Sequence, residues 1–331
     1  MTIDLLAIGR ANLDLYSQDI GASFEDITGF DAMVGGSPTN IAIGVSRLGM
    51  SSAILTAVGT DRTGDFVLRY LQNEGVDTSF VPRIDGKLTS LALLGVQPPD
   101  DFPLSFYRDD PADIYLTPAD VDAVDVSTVR AIEVSGNALA RGTCVEAVRR
   151  LLRTAAEAGV TVYMDVDLRP SEWFDASDYG VAIRSVLGEV DVLIGTEEEF
   201  FAAFMPRPEA VMAGEPVPPG LLPELAATVS GLLDERPGVI VTKRGPKGAT
   251  IESPAGSIDV PGFPVEVVNT VGAGDSFAAG LIRSRLDGHG WEASAQFANA
   301  CGAITVTRHG CASALPTLRD VEEFLDRFAA S

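Results

Sequence analysis

The last quarter of the chain contains the stretch Asn269-Thr270-Val271-Gly272-Ala273-Gly274-Asp275-Ser276-Phe277, which continues as an apolar run to Ile282. This run predicts a buried helix. A Gly-Ala-Gly turn at the start of a helix exposes consecutive backbone N–H groups, which suit negative charge that develops in a transition state. Asp275 stands where such an anion would bind. It therefore either complements the helix dipole or accepts a proton from an attacking hydroxyl as a general base.

A second glycine turn, Gly35-Gly36-Ser37-Pro38-Thr39-Asn40, lies in the first part of the chain. Ser37 followed by Pro38 predicts an N-cap with proline at the first helical position. The free amides of that helix, together with Asn40, indicate a place for hydroxyl or anionic oxygens. Taken alone, the segment is equally well explained as an ordinary turn before a well-capped helix.

Around these two turns, short apolar runs alternate with longer helical patterns, which predicts an α/β protein with a mainly parallel sheet. We expect buried strands at residues 5–9, 53–59, 131–135, 160–165, 190–194 and 239–242. We expect helices at residues 41–48, 64–73, 143–158, 197–204, 273–286, 293–307 and 318–328. No clear linker interrupts the alternation, so residues 1–331 are predicted to form a single domain.

Three segments depart from this alternation. Residues 14–34 and 88–107 are β-like but interrupted by turn residues, and they could pair into a small separate sheet. Residues 205–223 are rich in Pro, Gly and Glu, which predicts a surface loop or insertion.

The composition limits the partners of the chain. Of its 331 residues, 46% are hydrophobic, which is enough for a full core. The 47 acidic and 24 basic residues give a net charge of −23, which argues against a nucleic acid or an anionic membrane bound by bulk charge. Only three lysines occur, Lys87, Lys243 and Lys247. An anionic ligand therefore needs a local basic site.

Cysteine and histidine usage limits the chemistry. Cys144, Cys301 and Cys311 form no C-x-x-C pair, and His289 and His309 are the only histidines. This pattern argues against a structural zinc site and indicates a reducing compartment. The sequence shows neither a basic region before a long apolar run at its start nor an apolar stretch of about 18 residues. We therefore expect a cytoplasmic protein.

Two charged segments follow predicted strands, where α/β proteins bind ligands. The first, Thr242-Lys243-Arg244-Gly245-Pro246-Lys247-Gly248, suits nucleotide phosphates, although a solvated β-turn explains it as well. The second, Glu197-Glu198-Glu199, either complements a helix N-terminus or acts through magnesium and its waters. Residues 59–64 have the glycine spacing of a P-loop, but Asp65 stands in place of its lysine.

Arg108 and Arg169 are candidates for recognising an acidic small molecule. The planar guanidinium fork matches a carboxylate, although either side chain is also explained as an ordinary surface arginine. Phosphoryl transfer requires amides that stabilise the transferred group, a divalent metal and a base for the hydroxyl. The sequence offers candidate residues for each of these roles.

The two glycine turns resemble the two signatures of the ribokinase-like (PfkB) family of carbohydrate kinases. The first extends through Ile41-Ala42 to Leu48-Gly49, and the second is the stretch 269–277. The resemblance covers essentially the whole chain. It implies a doubly wound, mainly parallel sheet flanked by helices, with a small β lid over the sugar formed by about residues 14–34 and 88–108.

The resemblance also implies the roles of individual residues. Asp275 is the implied general base, and Gly272, Ala273 and Gly274 are the implied anion hole. Asp14, Gly35, Gly36 and Asn40 lie at the sugar, while Thr242, Lys243, Gly245 and Gly248 bind ATP, with Asn299 on the adenine side. Glu198 acts on magnesium through water. The implied cofactors are ATP and Mg²⁺, a monovalent cation being left open, and the implied assembly is a homodimer.

Two residues differ from the family pattern. Gly195 replaces the asparagine of the usual Asn-x-x-Glu, and Asn269 replaces a commoner aspartate. The missing asparagine motivates one alternative of a different class, a regulatory sugar- or nucleotide-binding protein without activity.

Within the family, residues 98–108 and 195–200 are most similar to kinases that phosphorylate the terminal hydroxyl of 5-dehydro-2-deoxy-D-gluconate in inositol breakdown. That resemblance gives Arg108 the carboxylate of the sugar acid, with Arg169 as a second candidate. Kinases of 2-dehydro-3-deoxygluconate are the nearest alternative. Neutral-sugar kinases of the fructokinase and ribokinase type come next.

Overall fold

The computed structural model describes residues 2–97, 102–234 and 236–329 of the chain. The stretch Pro98-Pro99-Asp100-Asp101, part of the resemblance above, lies outside the described residues. Among the described residues, no helix is long and apolar enough to cross a membrane.

Strands and helices alternate along most of the chain. The strands are β1 (Ile3–Ile8), β2 (Asn12–Ser17), β3 (Phe30–Gly35), β4 (Ser52–Leu55), β5 (Val58–Gly59), β6 (Val76–Asp77), β7 (Arg83–Ile84), β8 (Ser90–Leu94), β9 (Leu104–Tyr107), β10 (Val129–Ser135), β11 (Thr161–Asp165), β12 (Val192–Thr196), β13 (Val239–Lys243), β14 (Ala249–Ser253) and β15 (Gly256–Val260). The α-helices are α1 (Ser37–Arg47), α2 (Arg62–Asn73), α3 (Pro118–Asp122), α4 (Cys144–Ala158), α5 (Ala176–Arg184), α6 (Glu197–Phe204), α7 (Glu209–Met212), α8 (Leu222–Gly231), α9 (Ala273–Leu286), α10 (Trp291–Val306) and α11 (Leu318–Ala329).

The main sheet has the strand order β15-β14-β13-β12-β11-β10-β1-β4-β6. All of its neighbours pair in parallel except β13 with β14 and β14 with β15, which are antiparallel. Helices cover both faces, with α4, α5, α6 and α8 in one apolar core and α1, α9 and α10 in another. Because parallel strands end at the same edge, the residues that follow β1, β10, β11, β12 and β13 share one edge of the sheet.

Helices α1 and α9, which begin at the two glycine turns, pack closely against each other. A Cβ at Gly44 of α1 would lie only 2.7 Å from the Cβ of Ala279 in α9. On the other side of α9, a Cβ at Gly280 would lie 2.7 Å from the Sγ of Cys301 in α10. The small residues therefore let three helices approach closely and bring the two turns to the same end of the sheet.

The two β-like segments of the sequence do form a sheet separate from the main one. Its order is β3-β2-β8-β9, with β2 and β8 parallel and the outer pairs antiparallel. Asp14 on β2 and Arg108, just after β9, are placed by this sheet. The function of the sheet as a lid over a sugar stays a prediction.

Three expectations of local structure are wrong. The strand predicted at 53–59 is two strands, because β4 pairs with β1 in the main sheet whereas β5 pairs with β7 in a separate ribbon. The loop predicted at 205–223 contains the short helix α7. Ser37 is not the N-cap of α1 but its first residue, and Gly36 occupies the cap with φ of 104°.

Candidate active site

The two glycine turns meet through one hydrogen bond between their polar side chains. Asn40 Nδ2 donates to Asp275 Oδ2 at 2.7 Å, across 235 positions of sequence. The same Nδ2 lies 3.1 Å from the Sγ of Cys311. Asn40 thus holds one oxygen of the Asp275 carboxylate in place.

The N-terminus of α9 presents free backbone donors beside Asp275. Gly272 caps the helix in the left-handed region, with φ of 84°, and a Cβ there would lie 2.5 Å from Cys311 Sγ. Ala273 donates its amide to the Thr270 carbonyl at 3.3 Å. Among the described residues, the amides of Gly272 and Gly274 have no such acceptor. The structure therefore leaves two of the three predicted anion-hole amides unpaired, a suitable place for negative charge.

The environment of Asp275 favours a proton acceptor. Burial raises the pKa of its carboxyl above the ordinary value, and the nearby charge of Asp167 adds to the rise, while the hydrogen bond from Asn40 opposes it. A carboxylate whose pKa moves toward the working pH is a better general base than an ordinary aspartate.

A lysine lies beside the same helix end. Lys243 Nζ donates to Asp165 Oδ2 at 2.8 Å and lies 3.7 Å from Glu199 Oε2. The position of a Cβ on Gly274 would be only 3.3 Å from this Nζ. The charges of Asp165 and Glu199 raise the pKa of Lys243 against the effect of burial, so the lysine stays charged. It brings positive charge to the predicted anion hole.

Asp14 lies on β2 opposite the turn that begins α1. It accepts a short hydrogen bond from Asn12 Nδ2, and burial raises the pKa of its carboxyl to about 7. A Cβ on Gly35 would overlap Asp14 Oδ2, at 2.0 Å, and one on Gly36 would lie 2.3 Å from the Arg10 carbonyl oxygen. The two glycines therefore allow the backbone to approach Asp14 and Arg10 closely, which brings the predicted sugar residues together.

The two arginines predicted to hold a carboxylate differ in their surroundings. Arg108 is 8% exposed and bonds to both oxygens of Asp113, at 2.6 and 2.7 Å, and to Glu172 Oε1 at 2.7 Å. Its fork already has carboxylate partners. The side chain of Arg169 is 45% exposed and pairs with Asp167 at 2.8 Å.

Two of the predicted nucleotide residues, Gly248 and Asn299, meet at the carbonyl of Val260. Thr242 lies on β13, and Gly245 and Gly248 are in the turn after it, with φ of 54° and 91°. A Cβ on Gly248 would lie 2.1 Å from the Val260 carbonyl oxygen. Asn299 Nδ2 donates to that same carbonyl at 3.2 Å and to that of Pro261 at 3.1 Å. The turn after β13 and helix α10 therefore both contact the backbone at Val260.

The family asparagine has no room at position 195. A Cβ there would lie 2.6 Å from Phe200 Cε1 and 2.7 Å from Val166 Cγ2. Two acids in the first turn of α6 have different surroundings. Glu199 forms a capping box with Thr196, whereas Glu198 is exposed to solvent. Phe200 and Val166 fill the space instead of a polar side chain.

A magnesium ion would take few of its ligands from the described residues. The described residues contain no cluster of three or more His, Cys, Asp or Glu side chains placed to hold a metal. Mg²⁺ is typically bound by one or two carboxylates and substrate phosphates, and it keeps several waters. The exposed Glu198 fits such a role through water. When bound, the ion would neutralise charge on the phosphates.

Two site residues were not singled out from the sequence. Asp165, the last residue of β11, bonds to Lys243, and burial raises the pKa of its carboxyl. Arg10, just after β1, is 7% exposed and lies among the predicted sugar residues. Both follow buried strands of the parallel sheet, and that position was the available signal.

Comparisons with known proteins show similarity to carbohydrate kinases over nearly the whole chain. A family model described as pfkB family carbohydrate kinase matches residues 2–318. The chain is 33% identical over 336 residues to a protein of Geobacillus thermodenitrificans (strain NG80-2) named 5-dehydro-2-deoxygluconokinase, covering 99% of this chain and 95% of that protein. A Bacillus subtilis (strain 168) protein of the same name is 31% identical, covering 98% and 96%. A solved E. coli structure with ATP and Mg²⁺, provisionally named ribokinase II, matches with a TM-score of 0.84 at 26% identity, over 98% of this chain and 99% of that one.

Proposed function

Because this chain belongs to the pfkB family of carbohydrate kinases, we propose that it phosphorylates the terminal hydroxyl of 5-dehydro-2-deoxy-D-gluconate. The chain has the ribokinase-like α/β fold and is an ATP-dependent carbohydrate kinase. The substrate is proposed because relatives that align over nearly the whole chain carry that name. Inositol catabolism is the pathway that this substrate implies.

The observation that carries the proposal is the hydrogen bond between Asn40 and Asp275 at the N-terminus of α9. It orients a carboxylate of raised pKa next to unpaired amides. A base beside an anion hole is the arrangement that phosphoryl transfer to a hydroxyl requires. A binding protein without activity would have no need of a carboxylate close to bound phosphate.

In the proposed reaction, Asp275 accepts the proton of the terminal hydroxyl of the sugar. The hydroxyl oxygen forms a bond to the γ-phosphorus of ATP while the bond from that phosphorus to the bridging oxygen of ADP breaks. The amides of Gly272 and Gly274 and the ammonium of Lys243 stabilise the charge on the transferred group. Asp14 orients the sugar from the second sheet, and Thr242, Gly245, Gly248 and Asn299 border the nucleotide.

Production of ADP with a panel of sugars tests this proposal. The panel contains 5-dehydro-2-deoxy-D-gluconate, 2-dehydro-3-deoxy-D-gluconate, fructose and ribose, each with ATP and Mg²⁺. We expect the highest kcat/KM for the first compound. A higher value for the second or for a neutral sugar would contradict the proposed substrate, and no ADP with any of them would favour a regulatory binding protein.

Three further parts of the proposal stay predictions. The implied homodimer is supported by Leu104 and Tyr107, apolar side chains that β9 exposes at the outer strand of the second sheet. The cytoplasmic location rests on the cysteine usage of the sequence. A requirement for a monovalent cation is left open.

A further inference from the structure

A buried group of arginines and acids lies between the main sheet and the second sheet. Glu172 accepts a hydrogen bond from Arg108 at 2.7 Å and one from Arg141 at 3.3 Å, and Arg10 lies 4.0 Å from it. Asp113 is the second acid of the group and bonds to Arg108. Three arginines thus share two carboxylates, which leaves one positive charge in excess in a chain whose net charge is −23.

Arg10 is the member of the group with the weakest pairing. The 4.0 Å separation from Glu172 exceeds a hydrogen bond, and among the described residues its buried Nε has no hydrogen-bond partner. Its guanidinium also lies 5.1 Å from the centre of the Phe106 ring. Burial and the charges of Arg108 and Arg169 lower the pKa of Arg10. A buried guanidinium in this state is stabilised by any anion that reaches it.

Other acids near Arg10 have their own partners. Asp167 pairs with Arg169 at 2.8 Å and accepts a hydrogen bond from Ser135 at 2.7 Å. Asp14 is bonded to Asn12, and burial raises the pKa of its carboxyl to about 7. The charges of Asp167 and Asp113 offset part of that of Arg10, but among the described residues no acid forms a hydrogen bond with its guanidinium, the separation from Glu172 being 4.0 Å.

A small pocket beside Arg10 contains a second unpaired polar group. Arg10, Arg108, Asn137, Arg141 and Glu172 line this pocket. Asn137 is 4% exposed, and its Oδ1 has no hydrogen-bond partner among the described residues. Among the described residues, Arg10 Nε is thus an unpaired donor for a carboxylate and Asn137 Oδ1 an unpaired acceptor for a hydroxyl, in residues that line a pocket with room for about one water molecule.

Arg10 and Asp275 both lie close to Asp14, because the charges of both residues shift the pKa of that carboxyl. The backbone of Arg10 is also held at the start of α1, where Thr39 Oγ1 donates to its carbonyl at 3.0 Å and the next residue, Asn40, holds Asp275. One sugar molecule with its terminal hydroxyl at Asp275 would therefore have its opposite end on the side of Arg10.

We propose that Arg10, with Asn137, binds the carboxylate end of the sugar acid, and that Arg108 acts as a positioning residue whose fork is held by Asp113 and Glu172. This assignment rests on the proposed function. It replaces the expectation that Arg108 itself takes the carboxylate, because the contacts of Arg108 are already made within the chain. A sugar with a single carboxylate at the end opposite the phosphorylated hydroxyl is the matching substrate class.

The test compares the acid with its alcohol analogue, in which CH₂OH replaces the carboxylate, in the full-length enzyme. For Arg10→Met we expect the KM for the acid to rise about 30-fold or more, since a buried charged contact is lost. The KM for the alcohol and for ATP should stay within about threefold, because a neutral group gains little from the guanidinium. The preference for acid over alcohol should therefore disappear.

Arg141→Met is the matched control, because Arg141 lines the same pocket but bonds to Glu172 and to backbone carbonyls. We expect it to keep the preference for the acid. Arg10→Lys, which keeps the charge and loses the fork, serves if Arg10→Met does not fold, and it should give an intermediate preference.

The outcomes separate the two proposals. A wild-type enzyme that uses no sugar acid contradicts the proposed function. A wild-type enzyme that prefers the acid, with an unchanged preference in Arg10→Met or Arg10→Lys, contradicts only the assignment of Arg10. An equal loss of preference in Arg141→Met and Arg10→Met also contradicts it, since the effect would then belong to the charge of the whole group.

Discussion

Asp14 and Asp275 are aspartates of the site whose pKa values burial raises, yet their neighbours differ. Asp14 bonds to Asn12 on its own strand, whereas Asp275 is held by Asn40 from a different helix. Burial disfavours the charged form of each group and thereby lowers the stability of the folded chain when the group is ionised. The ionised carboxylates of both residues therefore lower the stability of the folded chain at the site that they form.

The effect of Asp14 on stability should depend on pH. Its folded pKa of about 7 lies above the ordinary value of 3.8, so its favourable contribution to stability is complete below the unfolded pKa and is lost as the pH rises to 7. Asp14→Asn mimics the neutral acid. We expect it to raise the free energy of unfolding at pH 8, relative to the wild type, by at most about 4 kcal/mol, and to change it little at pH 4.

Urea denaturation at both pH values measures this difference. Asp31→Asn, an exposed carboxylate on the neighbouring strand β3, is the control and should show no comparable gain. Equal effects of the two substitutions at pH 8, or a loss of stability in Asp14→Asn, would contradict the assigned environment.

The chemistry of single residues was partly predictable from the sequence. Asp275 and Asn40 stand in glycine-rich motifs at helix starts, and such motifs predict that the backbone approaches a ligand. The pairing of Arg108 with Glu172 was not predictable, because Glu172 lies 64 positions away and follows a different strand. Arg10 went unnoticed for the same reason: a single arginine after a strand says nothing about which acids surround it.

The turn from β3 into α1 shows how an element depends on one glycine. The residue at the cap has φ of 104°, a region that favours glycine, and a Cβ there would lie 2.3 Å from the Arg10 carbonyl oxygen. Serine followed by proline is an ordinary signal for an N-cap. The contact with Arg10 comes from the connection between β1 and β2, so the displacement of the cap by one residue could not be predicted.

Gly36→Ala should therefore destabilise the chain by both backbone strain and a collision. Gly49→Ala is the matched control, because Gly49 also has a positive φ, 87°, but open space around its Cβ position. We expect Gly49→Ala to cost about 1 kcal/mol and Gly36→Ala at least about 2 kcal/mol more. Guanidinium denaturation of both variants measures the difference, and equal losses would contradict the close approach to Arg10.

The strands of the main sheet and the helices that flank it differ in how well the sequence predicted them. Helices α6 and α9 begin and end as expected, because their apolar patterns and start signals agree. The antiparallel strands β14 and β15 were not expected. Four of the five residues of β15 are exposed, so no apolar run marks this strand. Its formation depends on pairing with β14, a contact that periodicity does not encode.

On the scale of the whole molecule, the net charge is negative, whereas the basic residues of the proposed site are positive. The net charge of −23 repels ATP and a sugar acid alike. Lys243 beside α9, Arg169 at the surface and Arg10 in its pocket place cations along the edge where the parallel strands end. The sequence composition predicted that anions need a few local cations, and the fold selects which of the basic residues supply them.

The central claim is that Asp275 is the base of a sugar-acid kinase, and turnover by Asp275→Asn tests it most directly. Asp287→Asn, at the other end of α9, is the control. With 5-dehydro-2-deoxy-D-gluconate, ATP and Mg²⁺, we expect Asp275→Asn to form ADP about 10² to 10⁴ times more slowly than the wild type. Its affinity for ATP should be retained, and Asp287→Asn should turn over normally. Turnover by Asp275→Asn close to that of the wild type would contradict the account.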